Sequence, residues 1–184
     1  MSIFVKGNWK VRRAQESDIA ALEQLIALSA HGLGASYYSA AKLDAALGTV
    51  FGVDRQLIRD GTYFVVETEN ELLGCGGWSK RKTLFGSDSQ ADRDDSELNP
   101  NLDAARIRAF FIHPDHARRG IGRAILNECE KAIRAAGFNS IELAATLPGV
   151  PFYAACGYLT GERSEVPLSD GLSLPIVHMR KKLR

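Results

Sequence analysis

The chain is short of several things, and each shortage closes off a class of protein. It has only three cysteines in 184 residues, Cys75, Cys129 and Cys156. They are widely scattered, with no CxxC pair and no metal-ligand spacing, so they read as reduced thiols rather than as a disulfide framework or a metal centre. Net charge is almost absent: 23 Lys and Arg against 22 Asp and Glu give +1, so no bulk field recommends nucleic acid as a partner. Long apolar runs are absent too. The opening "MSIFVKGNWKVRR" returns to charge after three apolar residues, too few for a signal sequence, and no segment reaches the length that crosses a bilayer. A soluble, cytoplasmic protein with no membrane partner is therefore expected. With 45% hydrophobic and 24% charged residues, the chain can bury the core of one ordinary domain spanning residues 1–184.

What is present alternates between strand and helix patterns. "WKVRR" (9–13) makes a first strand, and "ESDIAALEQLIALSA" follows as an amphipathic helix with Leu22, Leu25, Ile26 and Ser29 on one face and Ser17 as its cap. Two shorter helices are expected to start near Ser39 and Asp54, the second stopped by Gly61. "TYFVVETE" and "ELLGCGGWSK" form an antiparallel hairpin about a polar turn at 69–71, and the acidic, aperiodic stretch 86–103 is a solvated loop. "ARIRAFFIHP" reads as a buried strand closed by Pro114. Ile121, Ile125, Cys129, Ala132, Ile133 and Ala136 then mark one face of a long helix that ends at Gly137, before the strand "SIELAAT". Strand, helix and strand make a parallel crossover unit. A short helix in "GVPFYAACGY", stopped by Gly157, and strands around "RSEVPL" and "LPIVHMR" complete the chain.

The most informative stretch is "HPDHARRGIGRAIL" (113–126), where a proline stop, three arginines and two glycines stand between strand and helix. The first turn of a crossover helix points up to four unbonded N–H groups, and the positive end of its dipole, at the crevice beyond the strand ends. Gly120 and Gly122 let a ligand lie against those groups, and Arg118, Arg119 and Arg123 add charged donors. A pyrophosphate fits such a turn. Two familiar phosphate motifs do not match. A Rossmann fingerprint needs a third glycine where Ile125 stands and an acid after "SIELAAT", and a P-loop needs Lys where Arg123 stands.

The stretch from Arg106 to Tyr158 resembles the GNAT superfamily of acyl-CoA N-acyltransferases. The family's turn, Gln or Arg, x, x, Gly, x, Gly or Ala, is matched by Ala117, Arg118, Arg119, Gly120, Ile121 and Gly122, with alanine at its first place. Its Phe-Tyr pair, three residues, then Gly and an aromatic is matched by Phe152, Tyr153, Gly157 and Tyr158. Thr146 stands where the family often has the Asn that contacts the pantetheine arm. The resemblance implies a mixed α/β fold: a central mixed sheet with helices on both faces and a V-shaped cleft between the two parallel central strands. It implies acetyl-CoA as acyl donor, with no metal, and transfer to the primary amine of a small molecule by direct attack in a ternary complex. The coenzyme A residues would be Phe111, Ile112, Arg118, Arg119, Gly120, Ile121, Gly122, Arg123 and Thr146, the acetyl group lying against main-chain N–H groups of the strand end at Phe110, Phe111 and Ile112. It leaves room for a homodimer. A non-catalytic acyl-CoA-binding module is the rival of a different class, and a nucleotide-binding enzyme using the same turn is a second.

Acyl transfer needs a polarised thioester carbonyl, a deprotonated amine and a proton for the departing thiolate. Tyr153 is the candidate acid, since a phenol stays protonated at neutral pH. For the base, His113, Glu142 and a water relay all stand open. His113 and His116 straddle Pro114 without a third ligand, so metal binding is set aside. Arg108, in a central strand, must be paired or face a cleft: a substrate carboxylate would satisfy it, and so would a partner such as Glu67. Trp78 either walls the same cleft or is a core tryptophan beside a glycine bulge.

Overall fold

In β3 (Tyr63–Glu67) successive side chains enter different cores: Tyr63 and Val65 join one buried cluster, Phe64 and Val66 the other. A period-2 strand is apolar on both sides only when helices cover both faces of its sheet. The computed structural model describes residues 3–5, 8–89 and 94–183. Among these, eight strands form one sheet in the spatial order β1 (Ile3–Val5), β2 (Trp9–Arg13), β3, β4 (Leu72–Ser79), β5 (Ala105–Ile112), β6 (Ser140–Thr146), β8 (Ser173–Lys182) and β7 (Leu159–Pro167). Every neighbouring pair is antiparallel except β5 and β6. The mixed sheet expected from the resemblance is therefore present.

The helices divide between the faces. α1 (Ile19–Gly34), α2 (Ala40–Ala46) and α3 (Arg55–Arg59) bury Leu22, Leu25, Ile26, Leu43 and Leu57 against the Tyr63 and Val65 side. α4 (Ile121–Ala135) and α5 (Val150–Ala155) cover the other side. α4 buries Ile121, Ile125, Leu126, Cys129 and Ile133 at helical spacing, the apolar stripe that anchors a surface helix to its sheet. α2 and α3 start where expected, with Ser39 and Asp54 as their caps, accepting from the N–H groups of Lys42 and Gln56, and Gly61, Gly137 and Gly157 take the left-handed stops.

Two local readings need correction. Ser17 does not cap α1, because it lies inside a 3-10 turn, Glu16–Asp18, where the Asp18 carboxylate accepts the Gln15 N–H at 2.7 Å. α1 also continues through Gly32 and Gly34, residues that weaken an isolated helix. A Cβ on Gly32 would sit 2.3 Å from the Pro114 ring, and one on Gly34 2.8 Å from Leu43. Gly32 lets α1 pack closely against the strand end that leads into α4, and Gly34 lets it pack against α2. In the loop 86–103, residues 90–93 lie outside the described residues; the rest carries no helix or strand.

Candidate active site

The sheet opens where β5 and β6, the only parallel pair among the described residues, stop pairing. β5 and β6 are in register at Ala105 with Ile141 and Arg106 with Glu142, and no further, while β6 stays laddered to β8 as far as Thr146. The divergence has a local cause in β5. Between the Cys75–Phe111 and Gly77–Arg108 pairs, Gly76 of β4 faces two residues of β5, and Ala109 takes a left-handed φ of 54°. Such a bulge bends the strand and ends regular pairing. Gly76 makes it possible, since a Cβ there would lie 2.4 Å from the Phe110 ring. Beneath, the Tyr63 hydroxyl donates to the Ala109 carbonyl at 3.2 Å and touches the Cys75 sulfur at 3.2 Å.

A cavity of about 670 Å³ runs through this opening. One end reaches the turn at Arg118, Gly120, Gly122 and Arg123; the other reaches Tyr37, Phe51 and Phe85. Because Phe110 belongs with the α4 core and Phe111 with the α1 core, the cavity passes from one face of the sheet to the other.

The turn end is built for an anion. Gly120, at φ 86°, is the N-cap of α4 and lends it no side-chain cap, and the first intrahelical bond goes from Ala124 N–H to the Gly120 carbonyl at 3.0 Å. The amides of Ile121, Gly122 and Arg123 therefore have no partner within the helix, which leaves the positive end of its dipole to be satisfied by a ligand. A Cβ at Gly120 would meet nothing within 4 Å, so the space beside this residue is open, and Arg118, itself left-handed at φ 64°, precedes it in the turn. Gly122 is needed differently: a Cβ there would press on the Phe152 ring at 3.3 Å. Arg123 reaches back toward the Ala155 carbonyl at 3.4 Å. Arg119 is exposed and lies outside the cavity wall, so it is the one arginine of the motif that does not face it.

Tyr153 lies on the wall midway, buried among Phe110, Phe152 and Tyr158 with ring centroids 6.1, 5.0 and 5.6 Å away. Its hydroxyl has no hydrogen-bond partner among the described residues, and burial holds its phenol well above the ordinary range. Thr146, Phe111 and Ile112 also line the cavity. One of the expected main-chain donors is committed, however, and so is the amide that follows it. Ile112 N–H donates to Ser29 Oγ at 3.1 Å and His113 N–H to the Leu73 carbonyl at 2.9 Å. Ser29 was visible in the sequence as one polar residue in the apolar stripe of α1. Tyr38 carried no such signal; it accepts the Leu147 N–H and donates to the Pro175 carbonyl, both at 2.8 Å, tying the segment after α1 to the ends of β6 and β8 beside the opening.

Four of the candidate residues sit away from the cavity or are already engaged. His113 is not in the cavity, because β5 ends at Ile112 and the imidazole caps the next turn, its Nδ1 accepting Asp115 N–H at 3.2 Å. Glu142 sits where β5 and β6 are still paired, in an ion pair with Arg106 and away from the cavity. Trp78 is a core residue on the α4 side, edge-on to Phe138 at 6.2 Å. Arg108 does line the cavity but its charge is answered by Asp54 at 2.7 Å, with both side chains buried, and it donates to the Gly86 carbonyl at 2.8 Å. Neither a substrate carboxylate nor Glu67 is needed to neutralise it; Glu67 pairs with Arg12 and Lys10.

A family model for the acetyltransferase (GNAT) family matches residues 29–158, most of the chain. The chain belongs to the GNAT acetyltransferase family. The match begins within α1 and ends at Tyr158, so it contains every part of the cavity wall just described. Solved structures give the same fold for this GNAT protein. A GCN5-related N-acetyltransferase from Rhodopseudomonas palustris is 20% identical with a TM-score of 0.71, covering 98% of this chain and 99% of its own. The PaiA N-acetyltransferase of Thermoplasma acidophilum, solved with coenzyme A, is 15% identical with a TM-score of 0.65 over 96% and 99%. A putative acetyltransferase from Salmonella typhimurium, solved with acetyl-CoA, is 14% identical with a TM-score of 0.62 over 97% and 95%. None of the curated proteins matches. The GNAT protein is thus an acyl-CoA-dependent N-acetyltransferase with acetyl-CoA as donor. Among the described residues no helix is long and apolar enough to cross a membrane and no cluster of His, Cys, Asp and Glu could hold a metal ion.

If the α4 turn holds the donor, Gly120→Val should weaken coenzyme A binding by about 10- to 100-fold, the scale of one or two lost charge-assisted hydrogen bonds. The left-handed φ adds a strain of about 1–2 kcal/mol to the fold, so the titration should be run on protein whose melting has been checked. Unchanged affinity in the folded variant would place the donor elsewhere.

Proposed function

We propose that this enzyme, as a single domain, acetylates the primary amine of a small molecule by direct attack in a ternary complex. The observation that carries the proposal is the continuous cavity, about 670 Å³, that joins an uncapped helix N-terminus to an apolar chamber on the other face of the sheet. The residues present fit the donor: Ile121, Gly122 and Arg123 amides with Arg118 would hold its pyrophosphate, and Thr146, Phe111 and Ile112 would line the path of its arm. When bound, acetyl-CoA supplies the activated acetyl thioester.

The chain's own groups do the rest. Tyr153 keeps a proton on its phenol oxygen, and that proton can neutralise the departing thiolate. Direct transfer is favoured over a covalent enzyme intermediate because no cysteine lines the cavity among the described residues. Cys75 and Cys129 are buried outside it, with burial pushing the Cys75 thiol up to about 12. Among the described residues no carboxylate or imidazole lines it either, so a water relay is the base that remains of the three considered. Steady-state thiol release from acetyl-CoA, with small primary amines set against peptides bearing free N-termini, tests the reading. Faster transfer to the peptides would overturn the small-molecule assignment, and donor binding without transfer to any acceptor would favour a non-catalytic acyl-CoA-binding role.

A further inference from the structure

We infer that the acceptor is an apolar, preferably aromatic, amine that is bound uncharged; this rests on the small-molecule reading above. The acceptor end of the cavity is walled by Tyr37, Tyr38, Leu43, Phe51, Leu84 and Phe85, with Phe111 closing it from β5. Phe51 and Phe111 meet edge to face at 5.9 Å and 79°, which leaves ring faces and edges for a further ring to pack against.

The charge at this end points the same way. Among the described residues, the cavity has no Asp, Glu, Lys or His on its wall. Its charged groups are Arg118 and Arg123 at the donor end and Arg108, paired with the buried Asp54. An ammonium brought to this chamber would lose water and find a neutralised ion pair on one side and aromatic rings on the others. Desolvation without a counter-charge favours the neutral amine, which is also the form that attacks a thioester. A polyamine would bring a second ammonium to a wall that has no carboxylate among the described residues; Glu23, Asp88 and Asp95 line a separate pocket that meets this one at Phe51 and Gly52. An amino acid would bring a carboxylate toward an arginine already satisfied by Asp54. An arylalkyl amine brings only one nitrogen to deprotonate and an apolar body that the walls can take up.

The test is a comparison of kcat/KM for 2-phenylethylamine, 1,4-diaminobutane and glutamate with acetyl-CoA, in wild type and in Phe85→Asp. Phe85 is half-buried on a loop, and its replacement puts a carboxylate into the chamber. The expected result is a preference for 2-phenylethylamine of at least about tenfold, the scale of a few apolar carbons in a matched pocket, and a fall of similar size in its lead over the diamine in Phe85→Asp. Equal or better use of the diamine or glutamate by wild type overturns the inference while the small-amine reading stands. Faster turnover with octanoyl-CoA than with acetyl-CoA would assign the apolar chamber to the acyl chain and also overturn it. No transfer to any of the three amines, by protein whose melting temperature rises with acetyl-CoA, overturns the small-amine reading and this inference with it.

Discussion

Tyr153→Phe is expected to lower turnover by about 10- to 1,000-fold, the range for losing a general acid when water can partly substitute, with almost no change in melting temperature or coenzyme A affinity. The separation follows from the packing. The ring is held edge-on among Phe110, Phe152 and Tyr158, contacts a phenylalanine keeps, and the hydroxyl has no partner among the described residues that its removal would strand. Burial raises the phenol above its ordinary range, and the sign of that shift gives a second readout. A raised pKa keeps the proton in place as pH rises, so wild-type kcat should show no alkaline loss assignable to this group up to pH about 10, its reference value. Wild-type turnover in Tyr153→Phe, or an alkaline limb that the substitution removes near neutral pH, would take the role away from Tyr153.

The second large effect concerns stability. Asp54→Ala should destabilise the fold by about 3–5 kcal/mol, the cost of leaving one member of a buried ion pair uncompensated. Asp54 does two things at once: one carboxylate oxygen caps α3 through Gln56 N–H at 3.1 Å, and the other lies 2.7 Å from the Arg108 guanidinium. The pair is 54 residues apart in the chain and joins the start of α3 to the strand just before the bulge. A double replacement, Asp54→Asn with Arg108→Met, keeps the cap and removes both charges, and should recover much of the loss. Chemical denaturation of the two variants beside wild type measures this. A loss below about 1 kcal/mol in Asp54→Ala would mean that the pair behaves as an exposed one does.

The residues that could be read from the sequence are those whose chemistry is local. Gly120 and Gly122 announce an anion turn because their neighbours in the chain are arginines and a helix start, and the geometry needs nothing from elsewhere. Ser39 and Asp54 announce caps for the same reason. Arg108 was legible only as a problem, a charge in a central strand, since nothing in the sequence says which of many acids is near it. The faces of β4 were harder still. Leu73 and Cys75 are two apart yet enter opposite cores, because the register slips between the Val66–Gly74 and Glu67–Leu72 pairs. One extra residue reverses the alternation that follows, and so Trp78 points to the α4 core rather than to the acceptor side. His113 failed for a similarly small reason: the strand stops one residue earlier than a run ending in proline suggests.

The sheet can also be seen as two plates, β1 to β5 and β6, β8 and β7, hinged on two residue pairs. On the proposed reading, the grips on the two substrates come from different stretches of chain. The donor is held by residues 117–123 and 146–155 and the acceptor by 29–51 and 84–86. No segment serves both beyond the strand that divides them. Such a molecule is modular in a practical sense: the acceptor chamber can be redrawn, by exchange of the connections around α2 and the loop at Phe85, without touching the surface that takes up coenzyme A. Change of acceptor and retention of donor are then separate heritable traits of one fold.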